Sequence, residues 1–181
     1  MTNKGRIRRL VMMLIAGGAA ALGLAATAAP AQATVTPFAL RITAVHSGLS
    51  LAPSSPFLGA AVVQETPNSV FKNQKWRFNF VSTSSMQIVN EETGYCMEPE
   101  STAPSIVRMQ KCDDPNDLSK PSRQYWRDRD TVFNGVVVHR YLNLATGLYM
   151  DVSGASQSSG GLVITFPLTG GSNQMFKQTV A

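Results

Sequence analysis

After residue 33 the hydrophobic positions of this chain come in short runs, not in stripes. Ser85–Val89, Val132–His139 and Leu162–Phe166 are rich in Val, Ile, Met and aromatic residues, and clusters of Gly, Pro, Asn, Asp and Ser separate such runs. This pattern predicts short β-strands joined by tight turns. No apolar residues recur at helical spacing there, so the chain reads as all-β. The first 33 residues differ. Lys4, Arg6, Arg8 and Arg9 come without an acidic residue, an Ala/Gly-rich apolar run follows from Leu10 to Ala29, and Ala31-Gln32-Ala33 ends it. Cationic start, apolar middle and Ala-x-Ala stop predict a secretory signal peptide over residues 1–33, cleaved after Ala33, and hence an extracellular protein. The run is almost long enough for a membrane anchor, but its Ala/Gly content makes it weakly hydrophobic. The residues around Arg8-Arg9 do not otherwise fit a twin-arginine signal, and the export route stays open.

The strand-rich part repeats itself. "NQKWRF" carries Gln74 and Trp76, "RQYWRD" carries Gln124 and Trp126, and "SNQMF" carries Gln174 and Phe176. The glutamines stand 50 residues apart both times, the mark of internal duplication. Upstream of each lies a Ser/Thr-Gly turn leading into a strand: "HSGLSLAP", "ETGYCMEP" and "ATGLYMDV". Between turn and glutamine sits a third element, "AVVQET", "VRMQKC" or "ITFPL". Three elements recurring in the same order predict three units over roughly residues 38–84, 85–134 and 135–181, within one domain of residues 34–181.

Removing residues 1–33 changes the charge picture. The full chain is at +5, but residues 34–181 hold 12 Lys/Arg against 11 Asp/Glu, a net +1. The basic character belongs to the leader, so nucleic acid and anionic membrane surfaces are not expected partners. Any membrane contact is expected through the leader alone. Two cysteines remain, Cys96 and Cys112, and in an exported protein an even pair points to one disulfide. Across 16 residues such a bond contributes about 3 kcal/mol in the loop-entropy picture. A metal site or a reactive thiol is the alternative, with neither a third Cys nor a nearby His to favour it.

Three Gln-x-Trp-like motifs, each preceded by a Gly-x-Cys/Tyr-x-Asp/Glu-like strand, resemble the ricin B-type lectin domain across about residues 38–181. The resemblance implies a β-trefoil of three units of about 50 residues, with six strands in a short barrel and three hairpins capping it. Trp76, Trp126 and Phe176 then read as one core wedge per unit, and Phe176, smaller and without an indole donor, as the least complete. Gln74, Gln124 and Gln174 read as amides that satisfy backbone groups where neighbouring units meet. The resemblance also matches Cys96 and Cys112 to a within-repeat disulfide, present in the middle copy only. Ser50 and Thr66 stand at those positions in the first copy, Tyr149 and Leu168 in the third.

A sugar site of this family's kind implies three parts: a carboxylate for vicinal hydroxyls, an aromatic to stack on the sugar face, and an amide to orient it. The resemblance places them at Ala52, Gln64 and Asn73 in the first copy, where no sugar is expected. In the second they are Glu98, Gln110 and Arg123, a weaker site with a longer carboxylate, no aromatic and a cation for the amide. In the third they are Asp151, Phe166 and Asn173, with Gln174 beside the last, so carbohydrate binding is expected there. Ile164, two residues before Phe166, replaces an often polar residue, at a cost of about 1 kcal/mol for the lost hydrogen bond. Taken singly, Asp151 also fits a turn cap and Phe166 a core position in "LVITF". Their combination in one copy is what points to a ligand.

Catalytic chemistry finds little support. The chain has no Gly-x-Ser-x-Gly elbow, no His-Glu-x-x-His and no phosphate-cradling glycine loop. "DDPND" at Asp113–Asp117 reads as a solvated turn, not a calcium loop. "RDRD" at Arg127–Asp130 reads as a self-neutralising strand end, and His46 and His139 lack a nucleophile at motif spacing. The expectation is a monomeric, non-enzymatic lectin without cofactor or metal, binding glycans of a galactose-like kind. The alternative is a trefoil used as a proteinase inhibitor or assembly subunit, making contact through loops 113–122 or 153–161.

Overall fold

Each Ser/Thr-Gly pair becomes a tight turn, with Gly48, Gly94 and Gly147 at φ +72°, +71° and +70°. That is left-handed backbone, which a Cβ disfavours and glycine adopts freely. The computed structural model describes residues 34–35, 38–117 and 122–181. The expected leader lies outside these residues, as does part of the 113–122 loop. A two-residue strand, β1 (Thr34–Val35), precedes three sets of four. The first set is β2 (Leu40–Ala44), β3 (Ser50–Pro53), β4 (Val62–Glu65) and β5 (Trp76–Ser82). The second is β6 (Ser85–Asn90), β7 (Cys96–Pro99), β8 (Val107–Gln110) and β9 (Trp126–Phe133). The third is β10 (Val136–Asn143), β11 (Tyr149–Val152), β12 (Gly161–Phe166) and β13 (Phe176–Val180).

The first and last strands of each set form a closed antiparallel ring, β2–β5–β6–β9–β10–β13 and back to β2. The middle pairs β3–β4, β7–β8 and β11–β12 are hairpins over one end. They touch through Gly161 opposite Gln64 and through the bridges Ala61–Arg108 and Ile106–Ile164. Six barrel strands and three capping hairpins make a β-trefoil. A closed ring leaves no barrel edge unpaired.

One aromatic per unit fills the barrel, because Trp76, Trp126 and Phe176 open their strands opposite Leu40, Met86 and His139. The indole nitrogens donate to Leu51 O at 3.0 Å and Met97 O at 3.1 Å. Phe176 has no such donor, yet its side chain is as fully buried as the tryptophans. The less complete third wedge is therefore not what the core shows. Tyr141 occupies the position held by Ile42 and Ile88, one residue before each corner pair, and its ring centroid lies 5.7 Å from that of Phe176. A larger neighbour makes up the volume of the smaller wedge.

The three glutamines act alike, but within their own units and not between them. Each side-chain amide donates to one loop carbonyl, at Thr66, Lys111 or Pro167, by 2.8–2.9 Å. Each amide oxygen accepts from the backbone two residues on, at Asn68, Asp113 or Thr169, by 2.7–2.8 Å. These bonds and the hairpin registers set the equivalences. Phe166 and Gln110 match Glu65, not Gln64, and Cys112 and Leu168 match Pro67, not Thr66. The expectations at Gln64 and Thr66 are thus one residue early, while Ser50 and Ala52 keep their places; Gln64 resembles Gln110 in type but takes the position of Met109 in the hairpin register. Cys96 and Cys112 are joined, with 5.0 Å between their Cα atoms.

Candidate functional site

Alternation along β11 buries Met150 and Val152 in the core, and Asp151 between them faces the hairpin's outer side opposite Ile164. Asp151 is only 3% exposed and lies at the base of a cavity of about 360 Å³. Phe166, at the end of β12 and 40% exposed, forms one wall with Ile164. Asn173 enters from the single 3-10 turn Ser172–Gln174 and donates to Asp151 Oδ1 at 2.9 Å and Val152 O at 3.2 Å. Carboxylate, aromatic and amide of the third repeat thus line one open pocket. Gln174 does not line it. Fully buried, it holds the loop backbone and hydrogen-bonds Asp151 from behind, so its place is that of a support.

Burial pushes the Asp151 carboxyl above its ordinary value, while hydrogen bonds from Gln174 and Asn173 and the nearby His46 pull it back. An acceptor fixed from below and partly desolvated is suited to hold hydroxyl groups, and the exposed Phe166 ring is suited to an apolar sugar face. Gly171 makes room for this arrangement: a Cβ there would lie 2.5 Å from Asn173 Oδ1.

The opposite wall includes Ser153, Gly154 and Ala155. Gly154 and Ala155 are both left-handed, at φ +61° and +49°, and for an alanine this is a strained state. The first repeat holds the segment in place. Gln64, fully buried, donates to Ser156 O at 2.6 Å and Ser158 O at 2.9 Å, and accepts from Ser47 Oγ at 2.7 Å. His46 Nε2 lies 2.8 Å from Ser156 O. Sequence reasoning missed both residues. The available signal was a glutamine in an apolar strand where the other copies carry Met109 and Thr165.

In the second repeat the carboxylate is paired with a cation of its own unit. Arg123 Nη2 donates to Glu98 Oε1 at 2.7 Å and Gln124 Nε2 to Glu98 Oε2 at 2.8 Å. Arg123 and Gln124 thus hold Glu98 much as Asn173 and Gln174 hold Asp151, but Gln110 offers no ring, so the second repeat lacks one of the three parts. In the first repeat Ala52 leaves no carboxylate at the base.

Another cluster lies at the far end of the barrel. His139 Nδ1 is 2.9 Å from Asp128 Oδ2 and 3.1 Å from Asp130 Oδ1, so both acids of "RDRD" contact a histidine instead of the arginines beside them. Burial alone lowers the imidazole pKa, but the hydrogen bonds and charges of Asp128 and Asp130 outweigh it and raise it above the ordinary value. Their three ligand atoms lie within 4.8 Å of one another, close enough for a divalent cation, though ion-pair contacts already join them.

No protein-family model matches the sequence, and no curated protein does. Solved structures do match in fold. A designed threefold-symmetric protein, ThreeFoil, is 25% identical with a TM-score of 0.68, over 79% of this chain and 99% of that one. An exo-β-1,3-galactanase from Clostridium thermocellum is 23% identical with a TM-score of 0.69, over 80% of this chain; the match spans only 30% of that enzyme. A ricin B-like lectin from Macrolepiota procera, solved with lactose, is 16% identical with a TM-score of 0.65, over 85% of this chain and all of that one. The chain therefore has the β-trefoil fold of the ricin B-type lectins.

Proposed function

We infer that this protein is a secreted, non-enzymatic lectin that binds one sugar unit non-covalently through its third repeat. The observation that carries the reading is the convergence of Asp151, Phe166 and Asn173 on a single open cavity of about 360 Å³. Asp151 accepts vicinal hydroxyls, Phe166 stacks against the apolar ring face, and Asn173 fixes the orientation of Asp151. The lactose bound by the Macrolepiota procera lectin supports a galactose-like ligand. One shallow pocket with few polar contacts gives a Kd on the order of millimolar to tens of micromolar for a monosaccharide.

A glycan array with the purified protein, repeated with Asp151→Ala, tests this. Signal from terminal galactose-type glycans that disappears with Asp151→Ala is the expected result. Silence at high protein concentration would sink the lectin reading, and signal indifferent to Asp151 would move the site elsewhere. A second reading, a protein-interaction module, is favoured by one observation: Val132, Val136 and Val137 stand exposed near the tip of the β9–β10 hairpin. Under that reading the array stays silent and the hairpin carries the contact.

A further inference from the structure

The first repeat lost the expected sugar residues but has a cavity of about 360 Å³, as large as that of the third. It lies between the β3–β4 hairpin and the single turn Lys72–Gln74. Its chemistry is rearranged. Ala52, at the Asp151 position, does not line it, and Glu65 stands at the rim position that Phe166 holds in the third repeat. The aromatic comes from another direction: Phe71, just before the turn, lines the cavity and is 54% exposed. Asn73 lines it too, and its Oδ1 is buried without a hydrogen-bond partner, an acceptor still wanting a donor.

Among the lining residues Glu65 is the one ionisable side chain. Its Oε2 accepts the Ser159 hydroxyl, which holds the carboxylate in place. Two cations stand near. Arg41 donates to Asn68 O at 3.5 Å, and Lys72 lines a neighbouring hollow together with Glu92. A carboxylate beside an aromatic face favours a cationic ligand, since charge-assisted bonds and cation–π contact both reward it. Ser54, Thr66 and Asn68 add polar groups suited to hydroxyls, and the volume suits one pyranose ring.

We propose that this cavity binds an amino sugar, a pyranose with a protonated amine, its ammonium on Glu65 and its apolar face on Phe71. A lysine side chain offers the same ammonium but no hydroxyls for Ser54 and Asn68, and it leaves most of the volume unfilled. Neutral sugars lack the charge that Glu65 selects. This site is independent of the third-repeat pocket and does not rest on it.

The test is calorimetric titration of the protein with methyl glucosaminide and its N-acetyl counterpart, at mildly acidic pH and low salt. The amine is expected to bind at least about tenfold tighter than the amide, and to weaken as salt rises. Glu65→Gln and Phe71→Ala, both at the cavity rim, should each weaken it by about tenfold, with backbone NMR shifts mapping to Phe71 and Asn73. Asp151→Asn should leave the binding unchanged. Equal binding of the two sugars, dependence on Asp151, no binding of the amine, or equally tight binding of N-acetyl-lysine amide would each overturn the proposal.

Discussion

On the lectin reading, Asp151 is the residue on which sugar binding should titrate. Its pKa is raised, chiefly by burial, and a hydroxyl-gripping carboxylate must be ionised. Affinity in the third repeat is therefore expected to be full at neutral pH and to fall on acidification sooner than an ordinary carboxyl, near 3.8, would allow. A pH series of Kd values, with circular dichroism to verify folding, measures this; a profile flat down to about pH 4 contradicts it. Gly171→Ala is a second residue-scale probe. Its new Cβ would meet Asn173 Oδ1 at 2.5 Å, and a side-chain end yields more readily than backbone, so the protein should fold while the amide leaves Asp151. About tenfold weaker sugar binding with little change in Tm is expected. The third-copy trio was legible in the sequence because three residue types fell at family spacing in one copy. Gln64 and His46 were not, since their partners are backbone carbonyls 92 and 110 residues away, which no local pattern announces.

At the scale of strands and loops, the fifty-residue period placed the glutamines and aromatics, while the expectations at Gln64 and Thr66 slipped by one in the first copy. Periodicity is set by core contacts, and loop residues such as Pro67 are under no such constraint. The core itself holds a compensation that residue type alone does not reveal: Tyr141 and Phe176 together do what an isoleucine and a tryptophan do in the other units. Phe176→Trp alone should overpack against Tyr141 and cost about 1–3 kcal/mol. Adding Tyr141→Ile should recover part of that loss, a coupling of about 0.5–3 kcal/mol by denaturant titration of the single and double variants. Strictly additive variants would argue that the two rings adjust independently.

For the molecule as a whole, the third-repeat pocket is the product of two units. Its wall is strained at Ala155 and is held by Gln64 and His46 across the seam where β12 meets β4. Gln64→Ala touches no ligand, yet on the lectin reading it should weaken sugar binding several-fold and raise hydrogen exchange in residues 153–160. His139 adds a pH dependence at the other end of the barrel. Its folded pKa is raised above 6.5, so its contribution is complete below that value and is lost as pH rises through the folded pKa. Tm should therefore decline across neutral pH in the parent protein, and the decline should flatten in His139→Gln.

The wall held across the seam has a further consequence for how such a protein is made. A chain whose third unit has formed before the first has closed against it possesses Asp151 and Phe166 but no held wall beside them. On the lectin reading, retention on an immobilised sugar then sorts correctly finished molecules from unfinished ones. Free sugar in a refolding mixture would also draw the population toward ring closure by mass action, by RT ln(1 + [L]/Kd). The pocket would serve as a reporter of its own assembly.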